Sequence, residues 1–142
     1  MTFLLLGGTG KTATRVAAML DTAKKPFLVA SRRGPDAAPK GYPAIKFDWA
    51  DESSWSKSLE NGQVEAVYMM EPQVDNPWVP MIKFVDLARQ KGVLRFVLCA
   101  GTSTCIGKDG MGRVWEHFIN CGVDYCVLRP SWFMGSWSRI FG

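Results

Sequence analysis

This chain has no apolar run near the ~20 residues that a membrane-spanning helix needs. It has no C-x-x-C pair, because Cys99, Cys105, Cys121 and Cys126 are scattered. His117 is its single histidine, so the spacing offers no pair of imidazoles and no metal site is expected. Long basic stripes are absent too. Lys24-Lys25 and Arg32-Arg33 are the only adjacent basic pairs, and the net charge is a modest +4. Nucleic acid is therefore not an expected partner. Phe3 to Leu6 begins too early and stops too soon for a signal peptide, so a soluble, cytoplasmic protein without membrane attachment is expected. There is no internal repeat, low-complexity tract or linker.

What remains is the material of a packed core. Hydrophobic residues make up 47% of the 142, and six are Trp, which excludes a disordered chain. The length suits one domain, spanning 1–142.

Strand-like and helix-like runs alternate. Strands are expected at Thr2–Leu6, Pro26–Ala30, Ala44–Phe47, Val64–Met70, Leu94–Ala100 and Val123–Leu128. Helices are expected at Gly10–Asp21, Asp51–Leu59, Asn76–Lys91 and Gly112–Asn120, the second capped by Asp51 or Ser53. Leu94–Ala100 is a continuous apolar run, as a buried parallel strand requires. The alternation predicts an α/β fold, a doubly wound, Rossmann-like parallel sheet with helices on both faces. Cys99 and Cys126 fall in apolar strand-like runs and are expected to be buried thiols.

The most informative segment is Leu4-Leu5-Leu6-Gly7-Gly8-Thr9-Gly10-Lys11-Thr12-Ala13. An apolar strand ends in a glycine-rich turn, and a helical pattern follows at once. Glycines let backbone approach a phosphate, and a helix start offers open N–H groups and a positive dipole end. Two phosphate motifs compete here. Gly10-Lys11-Thr12 matches the second half of a mononucleotide loop, but Leu5 stands where its first glycine belongs. Gly7-x-x-Gly10-x-x-Ala13 is a variant of the dinucleotide motif, with Ala13 small enough for close helix–strand packing. The dinucleotide reading is the better match.

A second test lies about 20 residues further on, where NAD-binding chains place an acid for the ribose 2′-OH. This chain reads Ala30-Ser31-Arg32-Arg33-Gly34. Guanidinium groups pair bidentately with phosphate, so Arg32 is read beside the 2′-phosphate of NADP, with Ser31 or Arg33 as helper. A solvated basic loop is the competing reading.

The glycine turn, the Arg pair, Phe47-Asp48-Trp49 and Leu128-Arg129-Pro130 with Trp132-Phe133-Met134 resemble the NmrA-like atypical short-chain dehydrogenases. Within that group the likeness is to the fungal ergot-alkaloid reductases, the festuclavine and agroclavine dehydrogenases. It covers nearly the whole chain. The resemblance implies an NADPH-dependent oxidoreductase of secondary metabolism that delivers hydride to an iminium carbon of a clavine alkaloid, a small-molecule substrate. It implies that Gly7, Thr9, Gly10, Lys11 and Thr12 hold the pyrophosphate, and Arg32 and Arg33 the 2′-phosphate. Asp48 and Trp49 would border the adenine, and Met70, Glu71 and Pro72 the ribose side. Ordinary short-chain dehydrogenases carry Tyr-x-x-x-Lys where this chain reads Met111-Gly112-Arg113-Val114-Trp115. No catalytic side chain is assigned, and Arg113 stands where the ergot-type relatives would carry a Lys.

Family members are also expected to be about twice as long, with the further half building the substrate pocket. The alternative function is a non-catalytic NADP-binding regulator of the NmrA type. The last twelve residues hold Trp132, Phe133, Met134, Trp137, Ile140 and Phe141, and this aromatic tail is expected to self-associate or pair with a partner surface.

Overall fold

In the computed structural model, six strands form one parallel sheet in the order β3-β2-β1-β4-β5-β6. The structure describes residues 1–39, 41–60 and 63–131. The aromatic tail from Trp132 onward, with its expected self-association, lies outside them. In chain order the elements are β1 (Thr2–Leu6), α1 (Lys11–Thr22), β2 (Phe27–Ser31), β3 (Ala44–Lys46), α2 (Glu52–Glu60) and β4 (Val64–Met70). They continue with α3 (Trp78–Gln90), β5 (Arg95–Cys99), α4 (Met111–Cys121) and β6 (Asp124–Leu128). The expected doubly wound sheet is therefore present, with element ends moved by a residue or two. A 3-10 turn at Gly34–Ala37, not expected from the sequence, shapes the loop after β2.

Alternation along each strand sorts side chains to two faces. Leu4 and Leu6 of β1 join the larger cluster under α2, α3 and α4, while Leu5 joins the smaller one under α1. Helix α1 presents Ala13 and Ala17, both fully buried, so its backbone lies close to the sheet. On the other face Phe84 of α3 is fully buried and meets Phe47, Trp49 and Trp55 edge-on, with centroids 5.4, 5.6 and 6.0 Å away. The indole N–H of Trp55 donates to the Asp48 carbonyl at 2.8 Å, which leaves no buried donor in this aromatic group unpaired.

Helices on the two faces are unequal in number. Among the described residues α1 is the one helix on the second face. Cys99 is buried as expected, but Cys126 is exposed. It lies on β6, the last strand in the sheet order, and no periodicity in the sequence reveals its exposure. Leu128 on the same side is 44% exposed. It borders an apolar hollow of about 480 Å³ with Val16 and Met19 of α1 and Tyr68 of β4.

The start of α2 settles its cap. The Asp51 carboxylate accepts the Ser53 amide at 3.1 Å and the Ser53 hydroxyl at 2.6 Å. Asp51 is thus the capping residue, and these bonds, the hydroxyl's first, hold its carboxyl below the usual value. A depressed folded-state value means that the cap's contribution is complete above the unfolded carboxylate range. It is lost as pH falls through the folded value. Asp51→Asn keeps a capping oxygen that does not titrate. Urea unfolding at mildly and strongly acidic pH is expected to show a smaller loss of stability for this variant than for the wild type.

Candidate functional site

The glycine turn sits at the carboxyl end of β1, where parallel sheets with this strand order place their ligands. Its backbone is closed by two bonds. The Gly10 amide donates to Gly7 O at 2.8 Å, and the Gly8 amide donates to Ala30 O at 2.9 Å. The second bond ties the turn to the end of β2. Gly7 adopts φ +63°, open to glycine at little cost. Gly8 is the crowded position: a Cβ there would lie 2.4 Å from Val29 Cγ1 and 2.9 Å from Leu5 O. Gly10 is ordinary extended backbone at φ −74° and ψ 162°, and serves as the N-cap of α1. The motif reading stressed Gly7, Gly10 and Ala13. The tight glycine is Gly8, and the doubled glycine was the signal that marked it.

The first backbone bond of α1 runs from the Thr14 amide to Gly10 O at 3.0 Å. The amides of Lys11, Thr12 and Ala13 precede it and are the helix's open donors. No acidic residue occupies that first turn, so nothing there competes with an anion. Lys11 and Thr9 are exposed beside them. Thr12 faces inward instead. Its hydroxyl accepts from the Tyr68 phenol at 3.0 Å and points to the Met70 sulfur at 4.0 Å. Burial pushes the Tyr68 phenol up to about 12, so it stays protonated and keeps donating to Thr12 at neutral pH. This link between turn and fourth strand joins residues 56 apart in sequence, and no local pattern announces it.

At the end of β2, Ser31 is buried and its hydroxyl reaches Gly34 O at 3.5 Å. Arg32 and Arg33 follow in an exposed turn. Among the described residues neither guanidinium has a carboxylate partner. Lys46, aligned with Ser31 across the β2–β3 ladder, adds a third exposed cation at this corner. Positive charge is therefore concentrated where an anion can approach from solvent.

The other expected site residues lie around the same edge but differ in engagement. Asp48 is a turn residue: its carboxylate accepts the Ala50 amide at 3.0 Å, and its own amide donates to Ser54 Oγ at 2.9 Å. Trp49 is half-buried and packs edge-on against Phe47 at 5.0 Å. Met70 ends β4 beside the glycine turn, 3.7 Å from where a Gly7 side chain would begin. Glu71 and Pro72 open a loop that, with Val74, Asp75 and Pro77, encloses a hollow of about 430 Å³.

Helix α4 carries Met111-Gly112-Arg113-Val114-Trp115, the stretch expected at the Tyr-x-x-x-Lys position. Met111, Gly112 and Val114 are buried. Arg113 pairs with Asp109 at 2.7 Å and lies over the Trp78 ring at 5.5 Å. It braces the start of α4 against α3.

No family model matches the chain. It is 43% identical over 141 residues to festuclavine synthase II of Penicillium roqueforti, covering 94% of this chain and 48% of that protein. It is 39% identical over 143 residues to agroclavine dehydrogenase of Claviceps fusiformis, covering 97% of this chain and 49% of that one. The chain thus spans about half the length of the curated relatives it matches. Among solved structures, the Citrobacter triphenylmethane reductase complexed with NADP(H) superposes with a TM-score of 0.78 at 17% identity. That match covers 96% of this chain and 52% of the reductase. An anaerobillin reductase of Escherichia coli superposes with a TM-score of 0.66 at 20% identity, over 92% of this chain and 72% of that one. At such identities the superpositions speak for the fold. Sequence identity and sheet order together make this chain a homologue of the fungal festuclavine and agroclavine dehydrogenases, built on a six-stranded Rossmann-like sheet.

Proposed function

We propose that this chain is the NADP(H)-binding part of an oxidoreductase that reduces an iminium-bearing alkaloid of the clavine type. The observation that carries the reading is the acid-free end of β2. Arg32 and Arg33 stand exposed and without a carboxylate partner among the described residues, one strand away from the glycine turn. The residues fit such a cofactor: open helix amides face a turn without acids, and free guanidinium groups stand at the neighbouring strand end.

In this reading Gly7, Thr9, Gly10, Lys11 and Thr12 hold the pyrophosphate. Thr12 acts through its amide, because its hydroxyl is engaged by Tyr68. Arg32 and Arg33 hold the 2′-phosphate, and Ser31 shapes their turn through Gly34. Asp48 and Trp49 border the adenine, and Met70, Glu71 and Pro72 the ribose side. When bound, the reduced cofactor supplies a hydride. An iminium carbon is already electrophilic, so the protein's part is to orient the acceptor and exclude water. No side chain is assigned a proton transfer, in keeping with the apolar Met111 and Val114 in the helix that would otherwise carry the phenol. The names of the relatives support the clavine substrate class.

Fluorescence titration with NADPH and NADH tests the reading, and NADPH is expected to bind more tightly. Losing a charge-assisted hydrogen bond costs about 1.5–3 kcal/mol. Arg32→Ala is therefore expected to weaken NADPH roughly ten- to a hundredfold and to leave NADH nearly unchanged. Equal losses for both cofactors would remove Arg32 from the 2′-phosphate. NADPH consumption with a clavine iminium then separates the two functional classes. Tight binding without turnover, even when the substrate-binding half of a homologue is supplied, would assign the chain to regulation.

A further inference from the structure

We propose that Asp86, His117 and Cys121 form a binding site for a zinc-like divalent cation at the seam between α3 and α4. The spacing of cysteines along the sequence argued against a metal. Folding brings three different donor types together from two helices. His117 and Cys121 stand one helical turn apart on α4 and so share a face. Asp86 meets them from α3, with its Oδ1 2.8 Å from His117 Nε2. One donor atom from each of the three lies within 4.8 Å of the others. Tetrahedral zinc with bonds of about 2.0–2.3 Å spaces its ligands by about 3.3–3.8 Å. A small opening of the Asp86–His117 contact therefore seats the ion.

Imidazole, thiolate and carboxylate suit zinc and cobalt better than magnesium or calcium, which take oxygen ligands. All three residues are part-buried. Cys121 also lines an open hollow of about 450 Å³ with Arg89, Val93 and Asp124, which leaves room for a water as fourth ligand. Arg89 is the opposing charge. Its guanidinium lies 3.8 Å from Asp86 Oδ1 and donates to the Cys121 carbonyl at 3.2 Å. The guanidinium is half-exposed and can turn to solvent, and thiolate plus carboxylate outweigh its single charge.

A Cys-His-Asp nucleophile is the competing use of these groups. The site lies at the far end of α4 from Met111, away from the nucleotide edge of the sheet.

The test is titration of the reduced chain with Co²⁺, followed by Zn²⁺. A sulfur-to-cobalt charge-transfer band with tetrahedral visible intensity is expected, displaced by one equivalent of Zn²⁺. Cys121→Ser and His117→Gln are each expected to lose the band. Asp86→Asn should weaken Co²⁺ by at least the roughly tenfold that changes to outer partners of a metal site cost, because Asp86 is itself a ligand. Cys105→Ser and Cys126→Ser replace the exposed thiols and should keep the band. Circular dichroism follows the fold of each variant, and Zn²⁺ should raise the melting temperature of the wild type but not of Cys121→Ser. Absence of the band at millimolar Co²⁺ would overturn the proposal. So would a band that survives in folded Cys121→Ser or is lost in Cys126→Ser.

Discussion

Gly8→Ala is expected to abolish NADPH binding and to destabilise the fold by about 1–3 kcal/mol, the usual cost of overpacking. The reason is geometric. The new methyl would fall 2.4 Å from Val29 Cγ1 and 3.0 Å from the Ala30 amide. Val29 is a fully covered side chain in the middle of β2, so it cannot swing away. Relief must come from moving the turn off the strand. That breaks the Gly8 amide bond to Ala30 O and displaces the donors at the head of α1. Gly10→Ala provides the comparison. Its methyl would meet only Gly7 O at 3.1 Å, on a backbone that any residue adopts. Urea unfolding and NADPH titration of the two variants should rank Gly8→Ala as the more damaging on both scales. A Gly8→Ala protein as stable as the wild type and still binding NADPH would refute this close approach.

Phe84→Ala is expected to cost about 3–5 kcal/mol, the range for truncating a buried aromatic. Total stabilities of domains run to about 5–15 kcal/mol, so this variant should be largely unfolded at 37 °C or melt far below the wild type. Phe84 is fully buried and is the shared neighbour of Phe47, Trp49 and Trp55. Losing it leaves three large rings without their common partner, and they are too rigid to refill the space. The effect extends to the site edge, because Trp55 holds the Asp48 carbonyl and Trp49 packs in the same group. Phe84→Leu keeps much of the volume and should recover most of the loss. Calorimetry of the two variants measures this difference. Equal melting temperatures for Phe84→Ala and wild type would show that the aromatic group does not anchor the core.

These two residues differ in how plainly the sequence announced them. Phe84 lies inside a helical pattern whose apolar positions recur at helical spacing, so its burial follows from periodicity. The crowding at Gly8 does not. A turn motif says that glycine is wanted, but which glycine lacks room depends on the neighbouring strand, and Val29 is 21 positions away. The same distinction applies to Asp51 and Ser53. Both were fit to cap α2, and only the fold showed that Asp51 accepts both the amide and the hydroxyl of Ser53.

By itself the sequence determined the parallel sheet, the order of its elements, the glycine turn at the head of α1 and the acid-free Arg32-Arg33 corner. All of these rest on local properties: apolar runs, helical spacing, the missing side chain of glycine and fixed charge. Tertiary structure alone decided the rest. It left Cys126 exposed, and turned the Thr12 hydroxyl inward to Tyr68. It held Arg113 over Trp78, and gathered Asp86, His117 and Cys121 at one seam. Each of these depends on which elements become neighbours, and side-chain contacts between elements distant in the chain leave no periodic trace within either one.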